Sequence, residues 1–223
     1  MHKILSIEGI NGTGKTYFTK QFSQKYDFFI IKELADEEEK DEKYPTFKTD
    51  RYSIKKDINW FVEKELTRIK KSQQKLEKRS VIADRWITSI AAFSYARNQK
   101  YKTDENNLLL NALSKLDSEF TKIPWIVIIS LKEPWIQHKK ILLKRNNNQT
   151  NRNTSLTEPY DCEFYQYLSN YYERLAKKNP CDILTIDKNA NKMYNYNKVF
   201  NWLETKTQPW SNMSIKDIII SGD

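Results

Sequence analysis

Ile7-Glu8-Gly9-Ile10-Asn11-Gly12-Thr13-Gly14-Lys15-Thr16 holds three of the four glycines in this 223-residue chain, and the fourth, Gly222, stands next to the C-terminus. The spelling G-x-x-x-x-G-K-T comes directly after an apolar run, Ile4 to Ile7, and directly before a helical stretch, Tyr17 to Tyr26. That order of strand, loop and helix is the context in which the pattern signals a phosphate-binding loop. Phosphate oxygens carry dense negative charge, so inward-pointing backbone N–H groups closed by a helix N-terminus make a cradle for them. Gly9, Asn11, Gly12, Thr13 and Gly14 would form the cradle, Lys15 would reach the β- and γ-phosphates, and the Thr16 hydroxyl would hold Mg²⁺.

Short apolar runs recur at Ile4 to Ile7, Phe28 to Ile31, Val81 to Ala83, Trp125 to Leu131 and Ile183 to Ile186, with helical stretches between them. Buried strands alternating with helices predict an α/β chain with a parallel sheet covered on both faces. Ligands then bind beyond the C-terminal strand ends, where Gly9, Glu33, Asp84 and Lys132 fall. Ile54 to Glu77, Leu108 to Leu116 and Cys162 to Lys178 read as helices, the last with an aromatic stripe suited to core packing. Residues 144 to about 157 read as a mobile basic lid, since Lys144 to Thr154 contains no apolar residue and several cations. The tail from about Thr205 is weakly patterned until Ile218-Ile219-Ile220, which suggests an added edge strand.

Val81-Ile82-Ala83-Asp84-Arg85-Trp86 places an acid and an arginine at the end of a buried strand. Beside a phosphate site, Asp84 can hold Mg²⁺ through water or orient the attacking oxygen, while Arg85 neutralises the phosphate being bridged. Together with the glycine loop, these residues resemble the thymidylate kinase family, whose loop reads close to E-G-x-D-G-x-G-K-T/S and whose third strand ends in D-R and an aromatic. Ser89, Ala91-Ala92-Phe93, Leu131 to Pro134, Glu158 and Glu163-Phe164-Tyr165 with Tyr172 extend the similarity over most of residues 3 to 187. The resemblance implies a P-loop kinase fold over the whole chain as one domain, with a five-stranded parallel sheet and a lid. It also implies ATP and Mg²⁺ as cofactors and a nucleoside monophosphate or deoxynucleoside as acceptor. Arg85 would be the acceptor-phosphate arginine, and Lys140, Lys144, Arg145 or Arg152 would supply the lid's cations, with Arg145 and Arg152 expected to be catalytic.

The departures from the family pattern bear on the acceptor. Asn11 replaces an acid that touches the sugar, and Lys32-Glu33-Leu34 followed by acids replaces R-E-P with glycines. Glu33 matches the acid that activates the sugar hydroxyl in related deoxynucleoside kinases. Trp60, Phe61 and Arg68 lie on the helix that binds base and sugar in both groups, with Phe61, Glu65 and Arg68 on one face. The loop spelling puts dTMP first among acceptors, with a nucleoside activated by Glu33 as the alternative. A polynucleotide 5′-end is a third acceptor, and a non-catalytic nucleotide-binding regulator is the reading outside enzymes.

The balance of 38 Lys+Arg against 29 Asp+Glu, formally +9, suits anionic ligands, but the basic residues are scattered, so nucleic acid ranks below a small nucleotide or nucleoside partner. Two distant cysteines and two histidines argue against zinc. No apolar run approaches the roughly 20 residues of a membrane span, so a cytoplasmic location is expected, and a homodimer is compatible with the chain.

Overall fold

The computed structural model describes residues 1–34, 45, 48–115, 122–130 and 162–220. The expected lid, with Lys140, Lys144, Arg145 and Arg152, lies outside the described residues, as do Glu158 and the stretch Leu131 to Pro134.

Five strands, β1 (Ile4–Glu8), β2 (Phe29–Ile31), β3 (Val81–Asp84), β4 (Trp125–Ser130) and β5 (Ile183–Asp187), pair in parallel in the order β2-β3-β1-β4-β5. This is the five-stranded parallel sheet that the sequence implies. Successive side chains of a strand point to opposite faces, and here both faces are apolar. Ile4, Val81, Ala83, Ile126 and Ile128 enter one core, while Leu5, Ile7, Ile82, Val127 and Ile129 enter the other. Such near-continuous apolar runs mark strands covered on both sides.

The second core is closed by α1 (Lys15–Tyr26) and α6 (Lys192–Glu204), through Phe18, Phe22, Tyr196 and Val199. The first is closed by α2 (Arg51–Leu76), α3 (Ile87–Tyr101), α4 (Glu105–Leu113), α5 (Cys162–Lys178) and α7 (Ile215–Ile220). Asp50 caps α2, its carboxylate accepting from Ser53 N at 3.0 Å, which moves the helix start ahead of Ile54. The aromatic stripe of α5 packs inward through Phe164, Leu168, Tyr171, Tyr172 and Leu175, the core role its spacing suggests.

The C-terminal isoleucines are not an edge strand. They form α7, which opens on a reciprocal cap: Ser214 N and Oγ both donate to Asp217 Oδ2 at 2.7 Å, and Asp217 N donates to Ser214 Oγ at 3.2 Å. That is a capping box in which Asp replaces the usual Glu. Ile218 and Ile219 then bury against the α3 and α4 side of the core, and the Tyr171 hydroxyl donates to Ile218 O at 2.8 Å. β-Branched propensity is a weak guide once a cap and tertiary burial favour a helix.

The register sets Ile7 beside both Asp84 and Val127, so the glycine loop after β1 and the Asp84-Arg85 pair at the end of β3 emerge side by side. No helix among the described residues is long and apolar enough to cross a membrane.

Candidate active site

The glycine loop turns sharply away from the sheet. Gly9 adopts φ 127°, and a Cβ there would stand 2.7 Å from the carbonyl oxygen of Ile129 on β4. Any side chain would lever the loop off its neighbouring strand. Gly14, at φ 86°, starts α1 in a left-handed conformation with open space around it, so backbone conformation alone demands glycine. Asn11, Gly12, Gly14, Lys15, Thr16 and Tyr17 line a hollow of about 660 Å³ above the loop. Gly9 and Thr13 shape the turn without lining that hollow.

Lys15 is buried and folds back, donating to Ile10 O at 2.9 Å. Burial, followed by the positive charge of Arg85, brings its pKa down to about 7. The unfolded chain therefore holds more protons between pH 7 and the ordinary lysine range. This burial costs stability in full below pH 7, and the cost fades as the pH rises through that window. A bound triphosphate should restore the ammonium. Binding of Mg²⁺–ATP at pH 8 is expected to take up close to one proton, read from calorimetric heats in buffers of different ionisation enthalpy. In Lys15→Arg, whose guanidinium does not titrate, most of the uptake should disappear.

Asp84 lies beneath this hollow, 2% exposed, with neither carboxylate oxygen meeting an ordinary hydrogen-bond donor geometry. Burial and then the charge of Glu33 raise its pKa, opposed by Lys15 and by the nearby Thr16 hydroxyl. A buried carboxylate beside a threonine hydroxyl is a donor set suited to Mg²⁺ and its water shell. The residues present therefore suit the metal, which Thr16 and Asp84 would hold.

Arg85 has φ 66°, a left-handed backbone that a non-glycine residue rarely adopts. Arg68, 2% exposed on α2, stabilises that turn: one Nη donates to Asp84 O at 3.1 Å and Arg85 O at 2.8 Å, the other to Glu65 at 2.5 Å. The turn aims the Arg85 guanidinium back across the glycine loop. Its Nε pairs with Glu33 at 2.6 Å, Nη1 donates to Ser89 Oγ at 3.0 Å and to Gly9 O at 3.4 Å, and Nη2 donates to Asn11 Oδ1. Burial works against its charge, but Glu33, Tyr172 and Glu8 outweigh it and raise its pKa. For Glu33, burial raises the pKa, yet Arg85, Lys15 and Arg68 together bring it below the usual range.

A second cavity, opening to solvent, runs from Asn11, Glu33 and Arg85 between α2 and α3. Asn11, Glu33 and Arg85 line both cavities, so the two meet at the Arg85–Glu33 pair. Of the residues expected to bind the acceptor, Glu33, Phe61, Arg68 and Arg85 line the cleft. Trp60 does not; it turns edge-on to Phe61, with Lys64 over its ring.

Three lining or supporting groups carry no role in the sequence reading. Glu8 accepts from Trp86 N at 2.7 Å and Ser89 Oγ at 2.5 Å, anchoring the N-terminus of α3 and with it the turn at Arg85. Arg97 and Glu105 pair at 2.6 Å, both buried, and burial and Asp57 push Glu105 up to about 7 against the pull of Arg97. The signal that finds Arg97 is spacing: it stands on the same helical stripe as Ile87, Ile90 and Ser94. Asp57 interrupts the α2 stripe of Ile54, Phe61, Glu65 and Arg68 in the same way.

No protein-family model and no curated protein sequence matches this chain. Among solved structures, the fold is similar to that of a thymidylate kinase from Candida albicans, with a TM-score of 0.61 at 17% identity, covering 94% of this chain and 97% of that one. A deoxyadenosine kinase from M. mycoides, solved with the products dCMP and a flexible dCDP bound, gives 0.59 at 18% identity, covering 91% and 100%. A thymidylate kinase from Ehrlichia chaffeensis gives 0.56 at 17%, covering 91% and 98%. The chain therefore has the P-loop kinase fold those proteins share.

Proposed function

We propose that on this fold the chain is an ATP-dependent kinase that phosphorylates the 5′-hydroxyl of a nucleoside, with Glu33 as the base. The observation that carries this reading is the Arg85–Glu33 pair at the meeting point of the two cavities. There a group in the cleft between α2 and α3 can approach a phosphate held by the glycine loop, since Asn11, Glu33 and Arg85 line both cavities. The charge of the cleft does not call for an anionic acceptor. Its described lining has four carboxylates, Glu33, Asp57, Glu65 and Glu105, against three guanidiniums, Arg68, Arg85 and Arg97, and with Glu105 pushed up to about 7 the two signs come close to balance.

In this mechanism the loop amides, Lys15 and Thr16 grip the triphosphate, and Thr16 and Asp84 would hold Mg²⁺, which would supply charge neutralisation to the phosphates. The acceptor hydroxyl gives its proton to Glu33 as its oxygen bonds to the γ-phosphorus, and the bridging oxygen departs with ADP. Arg85 offers its guanidinium to the phosphoryl group in flight. Such catalysis is positioning and electrostatics, with few covalent players.

A dTMP-like acceptor, first by loop spelling, is the second reading, favoured by Ser89 and Arg85 standing together at the cleft's inner end. Lys32, where that family has arginine, is exposed. Offering nucleosides, monophosphates and 5′-hydroxyl oligonucleotides with Mg²⁺–ATP separates the readings. Product from nucleosides is expected; product from monophosphates alone would defeat the leading version, and no product from any would support a nucleotide-binding regulator.

A further inference from the structure

Glu8, fully buried at the end of β1, lines neither cavity, and the proposed phosphoryl transfer gives it no part. A buried carboxylate needs donors around it, and three are present. Its Oε1 accepts from Trp86 N at 2.7 Å and from Ser6 Oγ at 3.2 Å, and its Oε2 accepts from Ser89 Oγ at 2.5 Å. An ionised carboxylate can only accept, so the Ser89 proton points to Glu8. A serine hydroxyl has one proton to give and two lone pairs to receive. The lone pairs of Ser89 face Arg85 Nη1 at 3.0 Å and the Tyr172 hydroxyl of α5 at 3.3 Å, which is therefore the donor of that pair. Every bonding position on Ser89 Oγ is filled. The backbone on both sides of the left-handed turn is fixed from β1 as well, because Arg85 N donates to Ile7 O at 3.1 Å and Trp86 N to Glu8.

We propose that Glu8 is a positioning residue for the phosphoryl transfer: by taking the Ser89 proton it keeps Ser89 Oγ an acceptor, and that acceptor helps to aim the Arg85 guanidinium across the glycine loop. The inference rests on the kinase reading for what Arg85 meets, though not for how Arg85 is held. Changing the carboxylate to its amide tests the proton count with almost no change of shape. In Glu8→Gln, an amide whose oxygen stays toward Trp86 N sets an N–H against Ser89. The serine oxygen then faces three donors with two lone pairs, and its own proton has lost its acceptor. The flipped amide sets an N–H against Trp86 N–H instead. Either arrangement leaves buried donors unpaired. Of the side chains that donate to Ser89, only Arg85 borders a cavity, so Arg85 is the one that can turn away.

The test is run on the full chain at pH 8, above the value of about 7 to which burial raises Glu8. Glu8→Gln is expected to lower kcat about 10²-fold, the scale of a misplacement near 1 Å, with the affinity for Mg²⁺–ATP within a few-fold. In an Arg85→Lys background the same change should cost less than about 3-fold, since Glu8 acts through that guanidinium. Tyr171→Phe removes a neighbouring buried hydroxyl that donates to Ile218 O at 2.8 Å, and should lower the melting temperature while leaving kcat unchanged. A second measurement needs no turnover: the Nε–H nuclear magnetic resonance signal of Arg85, assigned by its loss in Arg85→Lys, should shift and exchange faster in Glu8→Gln. Should Glu8→Gln fail to fold, Ser89→Ala takes its place, with about 10-fold expected in kcat and the same dependence on Arg85. An unchanged kcat, an equal loss of ATP affinity, or full additivity with Arg85→Lys would overturn the proposal. If no acceptor is phosphorylated, the kinase reading falls and the Arg85 signal decides alone: displacement in Glu8→Gln sustains the positioning role, and an unmoved signal overturns it.

Discussion

Arg85→Lys should lower kcat by about 10³-fold or more while leaving the affinity for Mg²⁺–ATP within a few-fold. Arginines that meet a transferred phosphoryl group contribute 10³ to 10⁵ in rate, and this one is held for that position from four sides, by Glu33, Ser89, Gly9 and Asn11. Lysine keeps the charge but replaces a rigid planar fork with a point on a flexible stem, so those contacts cannot all be remade. The donor site itself is built from the loop amides and Lys15, which the substitution leaves intact. Steady-state kinetics beside a nucleotide-binding titration would separate the two effects. Equal losses in both would make Arg85 a donor-binding residue rather than one that acts in the transition state.

The second large effect concerns Glu33. With a nucleoside acceptor, Glu33→Gln should reduce kcat by roughly 10²- to 10⁴-fold, the usual span for removal of a general base. The wild-type rate should also fall as acid is added, because only the ionised carboxylate accepts a proton. Since Arg85, Lys15 and Arg68 together hold the Glu33 carboxyl below the ordinary range, that acid limb should lie lower than for an unperturbed glutamate. Arg85→Ala should move the limb upward in pH, through loss of the nearest compensating charge, and Glu33→Gln should abolish it. A pH profile that survives in Glu33→Gln would assign the proton to another acceptor. With a monophosphate acceptor, no such dependence on Glu33 is expected.

The features visible in the sequence are those in which neighbouring residues act together. The glycine loop, its Lys15-Thr16 end and the Asp84-Arg85 step are contiguous, and each apolar run became a strand because sheet strands buried on both faces need little else. Cys162 to Lys178 appeared with its full length because its stripe is unbroken. The α7 helix was hidden by three β-branched residues, although Ser214 and Asp217 spell its cap. The outer end of the cleft was hidden for a different reason. Arg97 and Glu105 pair across a turn between two helices, Asp57 joins them from a third, and no local pattern encodes such a meeting. Arg68 is visible on the right face of α2, but that it clamps two carbonyl groups depends on where β3 ends relative to that helix. Trp60 shows the converse: it neighbours a lining residue in sequence and faces elsewhere.

The left-handed turn at Arg85 has a consequence for anyone reshaping this protein. A non-glycine residue in that conformation stores on the order of 1 kcal/mol or more, and replacement by glycine would release it. That gain is set against the loss of the Arg85–Glu33 pair and of the contacts to Ser89, Gly9 and Asn11, so the melting temperature of Arg85→Gly reports the difference between the two. Libraries from this scaffold should be screened for turnover before they are ranked by melting temperature.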